Sequence, residues 1–188
     1  MDDLGALVPG SAGTVASSSD AVGGTLGGTR LVVKDVIDVA GTITGAGNPD
    51  WAAAHDPAPT HAAAVSALID AGAALVGKGQ CAELAYSLSG DNVHYGMPRN
   101  SAAPDRDPGG STSGPAAAAA GGLCELGIGT DTLGSIRIPA SYCGLYGYRP
   151  THGAISTAGV LPLAQRFDTV GLLAREPAAR RRAAAVLL

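Results

Sequence analysis

Four short apolar runs punctuate the chain: LVVKDVIDVAG from residue 31, AALVGKG from 73, LCELGIGTD from 123 and TVGLLAR from 169. Between and after them lie segments of helical character. THAAAVSALIDAG puts Val65, Leu68 and Ile69 on one helical face, with Thr60 placed to cap it and Gly72 to stop it. PAAAAAGG is an alanine helix, and EPAARRRAAAVLL has Pro177 where a first turn tolerates proline. Strand-length runs alternating with helices restrict the chain to an α/β domain with a mixed or mostly parallel sheet and flanking helices. Residues 1–27, rich in Gly, Ser and Ala, read as a loose lead-in, and 28–188 as the folded unit.

With 188 residues, 46% of them hydrophobic, there is enough material for one buried core. Charged residues make up 15% and the net charge is −4, which offers no basic surface for a nucleic acid. The start, MDDLGALVPGSAG, is acidic where a secretory leader is basic, and no run is long enough to span a membrane. Cys81, Cys124 and Cys143 are odd in number and lack C-x-x-C spacing, so they read as reduced thiols of a cytoplasmic protein. His55, His61, His94 and His152 show no metal-ligand spacing. No metal or other cofactor is expected.

Three polar elements interrupt this apolar background. Lys34 sits inside a β-branched run, where burial favours the neutral amine and so makes a proton acceptor. Taken alone, it also reads as a lysine that pairs with Asp35 or escapes at the strand end. Ser111 and Ser113 lie in the glycine turn GGSTSG, which lacks the G-K-[S/T] of a phosphate cradle. Ser135 follows Gly134 in DTLGSIRIPASYCG and, read alone, is a helix cap. No G-x-S-x-G elbow or Ser-His-Asp set is present, which leaves the Ser-Lys variant of nucleophilic catalysis. The long polar stretch 79–113 is the loop most suited to function.

VKDVIDVAG, GGSTSGPAAAAAGG and GTDTLGSIRIPASYCGLYGYRPTHG, in that order, resemble the signature of the amidase signature family. Ser111 stands 77 residues after Lys34 and 24 before Ser135, separations similar to the family's. The resemblance covers about residues 28–188. It implies Lys34 as base, Ser111 as bridging serine at a cis peptide, and Ser135 as nucleophile toward a small-molecule amide. It implies an oxyanion hole from the backbone N–H groups of Thr132, Leu133, Gly134 and Ser135, with Asp131 and Arg137 organising the turn. GNPDW, DNVHYGMPRN and QRFDTVGLLAR look most like plant-type indole-3-acetamide hydrolases and the amidase-like domains of chloroplast import receptors. Trp51 is a stacking platform for an aromatic substrate or a large hydrophobe under a loop.

Leu133 departs from the family's small residue, and a positive φ there would strain the turn. Pro115 replaces another small residue, at a first-turn position that accepts it. Family members are more than twice this long, so the fold is expected to be incomplete on its C-terminal side, with a homodimer or a missing C-terminal half as the partner. Three readings follow from the resemblance: an amide hydrolase, a non-catalytic amidase-like scaffold, and the glutamine-hydrolysing subunit of a tRNA-dependent amidotransferase.

Overall fold

The computed structural model describes residues 2–11 and 24–188. The branched run at 30–34 extends as strand β1 (Arg30–Lys34), and its side chains alternate across the sheet. Leu31 and Val33 enter one apolar layer with Leu68 and Leu126, while Val32 packs on the other side against Ala117, Ala118 and Ala119. The remaining strands are β2 (Ala74–Gly79), β3 (Leu126–Asp131), β4 (Tyr146–Tyr148) and β5 (Thr169–Ala174), in the order β2-β1-β3-β5-β4. β1 is parallel to β2 and β3, whereas β5 is antiparallel to β3 and β4. The sheet is therefore mixed.

Among the described residues there are five α-helices: α1 (Pro49–Ala53), α2 (Ala63–Asp70), α3 (Ser113–Ala120), α4 (Arg137–Tyr142) and α5 (Pro177–Leu187). α2 and α5 bring Val65, Leu68, Ala179 and Ala183 to one face; α3 and α4 bring Ala116–Ala119, Ala140 and Cys143 to the other. An alanine helix has little bulk, so α3 lies close on the strands. A Cβ added to Gly79 would stand 2.7 Å from Pro115 Cδ, and one on Gly127 3.0 Å from Pro115 Cβ. Pro115 thus fills the space that two strand glycines leave open, within the first turn, where its missing N–H is no loss.

Several boundaries differ from expectation. Thr60 does not cap α2, which begins after Ala62 with no side-chain cap, although Gly72 at φ 104° does end it. The stretch around Trp51, which reads as a loop, contains α1: Asn48 Oδ1 accepts from Trp51 N at 2.7 Å, and Pro49 takes the first turn. Within the lead-in, residues 2–11 and 24–27 dock on the fold. Gln80 N donates to the Ala6 carbonyl, Val8 N to the Lys78 carbonyl, and Leu26 is buried. The rest of the lead-in lies outside the described residues. Among the described residues, no helix is long and apolar enough to cross a membrane.

Candidate active site

Lys34 ends β1 fully buried, and its Nζ donates to Ser111 Oγ at 2.7 Å and to Thr130 Oγ1 at 2.8 Å. Burial brings its pKa down to about 8, against the opposing pull of Cys81, Asp131 and Asp168. Asp35 is not its partner. That carboxylate faces Lys78 Nζ at 3.4 Å and accepts from Gly45 N and Gly47 N. Lys78 Nζ also donates to the Ile37 carbonyl at 2.6 Å. Burial pushes the Asp35 carboxyl up and the Lys78 amine down, but the pair is satisfied within itself. The side-chain partners left to Lys34 are hydroxyls.

Ser111 precedes α3, and the Gly110–Ser111 peptide is cis. Its carbonyl accepts from Ala82 N at 3.2 Å, and the neighbouring Gly110 N donates to the Leu88 carbonyl at 2.8 Å. These bonds fix the glycine turn against the loop that follows β2.

The turn at 132–135 joins β3 to α4, and Asp131 organises it. Asp131 Oδ2 accepts from Ile136 N at 3.2 Å, Arg137 N at 3.3 Å and Arg137 Nε at 3.0 Å; Oδ1 accepts from Arg137 Nη2 at 2.9 Å and Arg149 Nη1 at 3.1 Å. Burial favours the neutral acid, but the Arg137 guanidinium and the two amides outweigh it and hold the carboxyl below its usual range. This corrects the capping expectation for Ser135. α4 starts at Arg137, and Asp131 already takes the amide hydrogens that a capping serine would accept. Ser135, 4% exposed, makes no side-chain hydrogen bond among the described residues. The N–H groups of Thr132, Leu133, Gly134 and Ser135 likewise donate to no acceptor there.

The positive φ of this turn falls on Gly134 at 144° and not on Leu133, so the leucine brings no backbone strain. Its side chain is 77% exposed and lines a cavity of about 210 Å³ with Thr132, Ser135, Tyr86, Leu88 and Leu163. Asp168 ties the cavity's two sides together. It accepts from Thr132 Oγ1 at 2.6 Å, and from Leu163 N at 2.9 Å and Ala164 N at 3.0 Å.

Trp51 stands away from this cavity, stacked on His55 with ring centroids 4.2 Å apart. The three thiols are free and buried, and burial pushes each up to about 12. Sequence reasoning missed Thr130 and Asp168. Thr130 shares the strand parity of Leu126 and Ile128, which marks it as core; the available signal was that a buried lysine needs acceptors. For Asp168, it was an aspartate directly before an apolar strand.

The chain matches the Amidase family model over residues 7–181. It is 53% identical over 164 residues to Amidase 1 of Arabidopsis thaliana, a match covering 87% of this chain and 39% of that protein. To the indoleacetamide hydrolase of Pseudomonas syringae pv. syringae it is 44% identical over 153 residues, covering 81% of this chain and 34% of that one. A crystal structure of an amidase superposes with a TM-score of 0.77 at 39% identity, covering 85% of this chain and 36% of that chain. The chain thus spans about two-fifths of the first of these relatives.

Proposed function

The chain belongs to the amidase family, and we propose that its Lys34, Ser111 and Ser135 form the proton relay and nucleophile of an amide hydrolase. The observation that carries this reading is the buried Lys34 amine, at about pKa 8 and 2.7 Å from Ser111 Oγ, with no carboxylate among its hydrogen-bond partners. A neutral amine has two N–H donors and one lone pair. Thr130 Oγ1 accepts one N–H, and the lone pair is then available to the Ser111 hydroxyl proton.

In the proposed sequence, Ser135 Oγ attacks the amide carbonyl carbon and passes its proton to Ser111 Oγ, whose own proton moves to Lys34 Nζ. The tetrahedral oxyanion meets the unengaged N–H groups of residues 132–135, each such donor contributing about 3 kcal/mol. The C–N bond then breaks, and the departing nitrogen takes a proton from Ser111, which regains one from Lys34. Water, giving a proton to Ser111 Oγ as Ser111 passes one to Lys34 Nζ, attacks the acyl-Ser135 carbonyl. The carbon–Oγ bond then breaks, Ser135 Oγ takes a proton back from Ser111, which regains one from Lys34, and the carboxylic acid is released. From a primary amide, the products are the acid and ammonia.

The acyl group proposed is an aryl or alkyl one, because Tyr86, Leu88, Leu133 and Leu163 give the cavity beside Ser135 an apolar wall. Similarity to an indoleacetamide hydrolase puts indole-3-acetamide first among the amides to try. The test is intact-mass analysis of the purified protein after exposure to a serine-reactive fluorophosphonate. One adduct on the native protein, absent from Ser135→Ala and formed far more slowly in Lys34→Ala, is expected. An adduct that persists in Ser135→Ala, or none on a native protein folded by circular dichroism, would overturn the assignment.

A further inference from the structure

Three non-glycine residues have positive φ among the described residues: Ala46 at 52°, Leu84 at 49° and Ala85 at 59°. Left-handed backbone is unfavourable for any residue with a Cβ, and it persists only where surrounding contacts impose it. One bond joins Ala46 to Leu84, the neighbour of Ala85: Leu84 N donates to the Ala46 carbonyl at 2.7 Å. The strain is therefore concentrated where the loop after β2 crosses the segment before α1.

The contacts that impose it are polar. Glu83 Oε1 accepts from Asn48 Nδ2 at 2.6 Å and lies 3.0 Å from His94 Nε2. Asn48 is itself fixed, because its Oδ1 caps α1 through Trp51 N. Asn92 Nδ2 donates to the carbonyls of Gly47 and Cys81, both at 2.8 Å, and His94 N donates to Asn92 Oδ1 at 2.8 Å. Glu83 is the point at which the two sides of this clamp meet.

From the clamp the chain runs directly into Tyr86, Ser87 and Leu88, which line the cavity beside Ser135. The far end of this strap is tied to Gly110, next to Ser111, through the Leu88 carbonyl. Its other side borders a second cavity of about 390 Å³, lined by Glu83, Leu84, Tyr86, Ser87 and Val93, among others. Tyr86 is 83% exposed. Tyr86 and Ser87 therefore have open space on both sides, and their position depends on Ala85, which is buried in the core, and on the strap's two tethered ends.

We propose that Glu83 is a positioning residue for acyl-group selection, its carboxylate holding the strap 83–88 in a strained turn that sets the apolar wall beside Ser135. This rests on the amide-hydrolase reading of that site. A carboxylate is suited to the role because one oxygen serves both Asn48 and His94, and the hydrogen bonds from His94 and Asn48 hold the carboxyl below its usual range. Loss of that oxygen lets Leu84 and Ala85 relax toward negative φ and carries Tyr86 and Leu88 away from the cavity.

The experiment compares two fluorophosphonates, one with a methyl group and one with an arylalkyl arm, on native protein, Glu83→Ala and Glu83→Gln. Chymotryptic cleavage after Tyr86 supplies a readout that needs no reactive serine. In Glu83→Ala the ratio of arylalkyl to methyl labelling rates should fall by about tenfold, the scale of discrimination by an apolar pocket. Cleavage after Tyr86 should accelerate, and Glu83→Gln, which keeps an acceptor oxygen, should recover most of both. A native protein that takes neither probe overturns the hydrolase reading and the selectivity role with it. Native labelling by both probes, with the ratio and the cleavage rate unchanged in Glu83→Ala, overturns this inference alone.

Discussion

If Lys34 must be neutral to act, the reaction should follow its titration. The amine is buried and bonded to two hydroxyls, and its pKa stands at about 8 against an ordinary 10.5. About one amine in eleven is then neutral at pH 7 and about ten in eleven at pH 9, so phosphonylation of Ser135 should speed about tenfold with a midpoint near pH 8. An unperturbed lysine would instead gain about a hundredfold over the same interval without a plateau. The assay is the pseudo-first-order labelling rate by intact mass from pH 6 to 10, corrected for reagent hydrolysis at each pH. Lys34→Ala should be slow and should lack the midpoint near 8. A flat native profile between pH 7 and 9, or the same midpoint in Lys34→Ala, would refute the role of the amine.

The same perturbation has a stability counterpart. The folded pKa lies below the unfolded one, so between pH 8 and 10.5 the native state binds fewer protons than the unfolded chain. Unfolding free energy from this group therefore rises with pH through that window, and below pH 8 the full penalty, on the order of 3 kcal/mol, is present. Lys78 adds a dependence of the same sign, while the buried thiols, raised to about 12, act oppositely at higher pH. The difference between native protein and Lys34→Met isolates the Lys34 contribution. Urea unfolding at pH 7.5 and 9.5 should show the native protein gaining on Lys34→Met as pH rises, and parallel behaviour would contradict the depressed pKa.

Asp131→Asn removes the charge that holds Arg137 and Arg149; because Arg137 is half-exposed, the expected loss is about 2 kcal/mol, read as a lower Tm. Ser135 labelling should slow by at least about tenfold as the turn loosens. Gly134→Ala should cost about 1 to 3 kcal/mol by urea unfolding, since φ is 144° and the new Cβ would stand 2.7 Å from Ile138 Cδ1. Truncating Ile138 alongside it should recover only the steric part.

The alternating runs made the layered fold legible, since β1, β2, β3 and β5 and the helices α2, α3 and α5 all fall within segments whose periodicity marks them. Lys34 and the two glycine turns were legible as departures from that pattern. Which acid accompanies which amine was not: Lys34 and Asp35 are adjacent in sequence, yet Lys34 reaches Ser111 and Thr130 while Asp35, in the turn directly after β1, reaches Lys78. The fate of Ser135 was hidden for a related reason. A serine after a glycine turn is a sound cap until a nearby aspartate supplies the same hydrogen bonds, and only the fold decides between them. α1 carried its signal openly in Asn48 and Pro49, but five residues are too few for periodicity to register. The left-handed Leu84 and Ala85 left no mark, because neither residue type announces positive φ.

Three buried carboxylates, Asp35, Asp131 and Asp168, surround this region, and the disposition of each bears on the chemistry of Lys34. A carboxylate facing the amine at about 4 Å would contribute about 4 kcal/mol at an effective dielectric of 20, or about three pK units. That exceeds the net depression from 10.5 to about 8, so one such contact would restore a permanently charged lysine. The fold prevents it three times over. Asp35 is given to Lys78, Asp131 to Arg137 and Arg149, and Asp168 to Thr132 and the amides of Leu163 and Ala164. Two of these arrangements also build the turn beside Ser135. Two of the three carboxylates that would keep the Lys34 amine charged are thus the groups that hold the turn in place, which ties the low pKa of Lys34 to the contacts around Ser135.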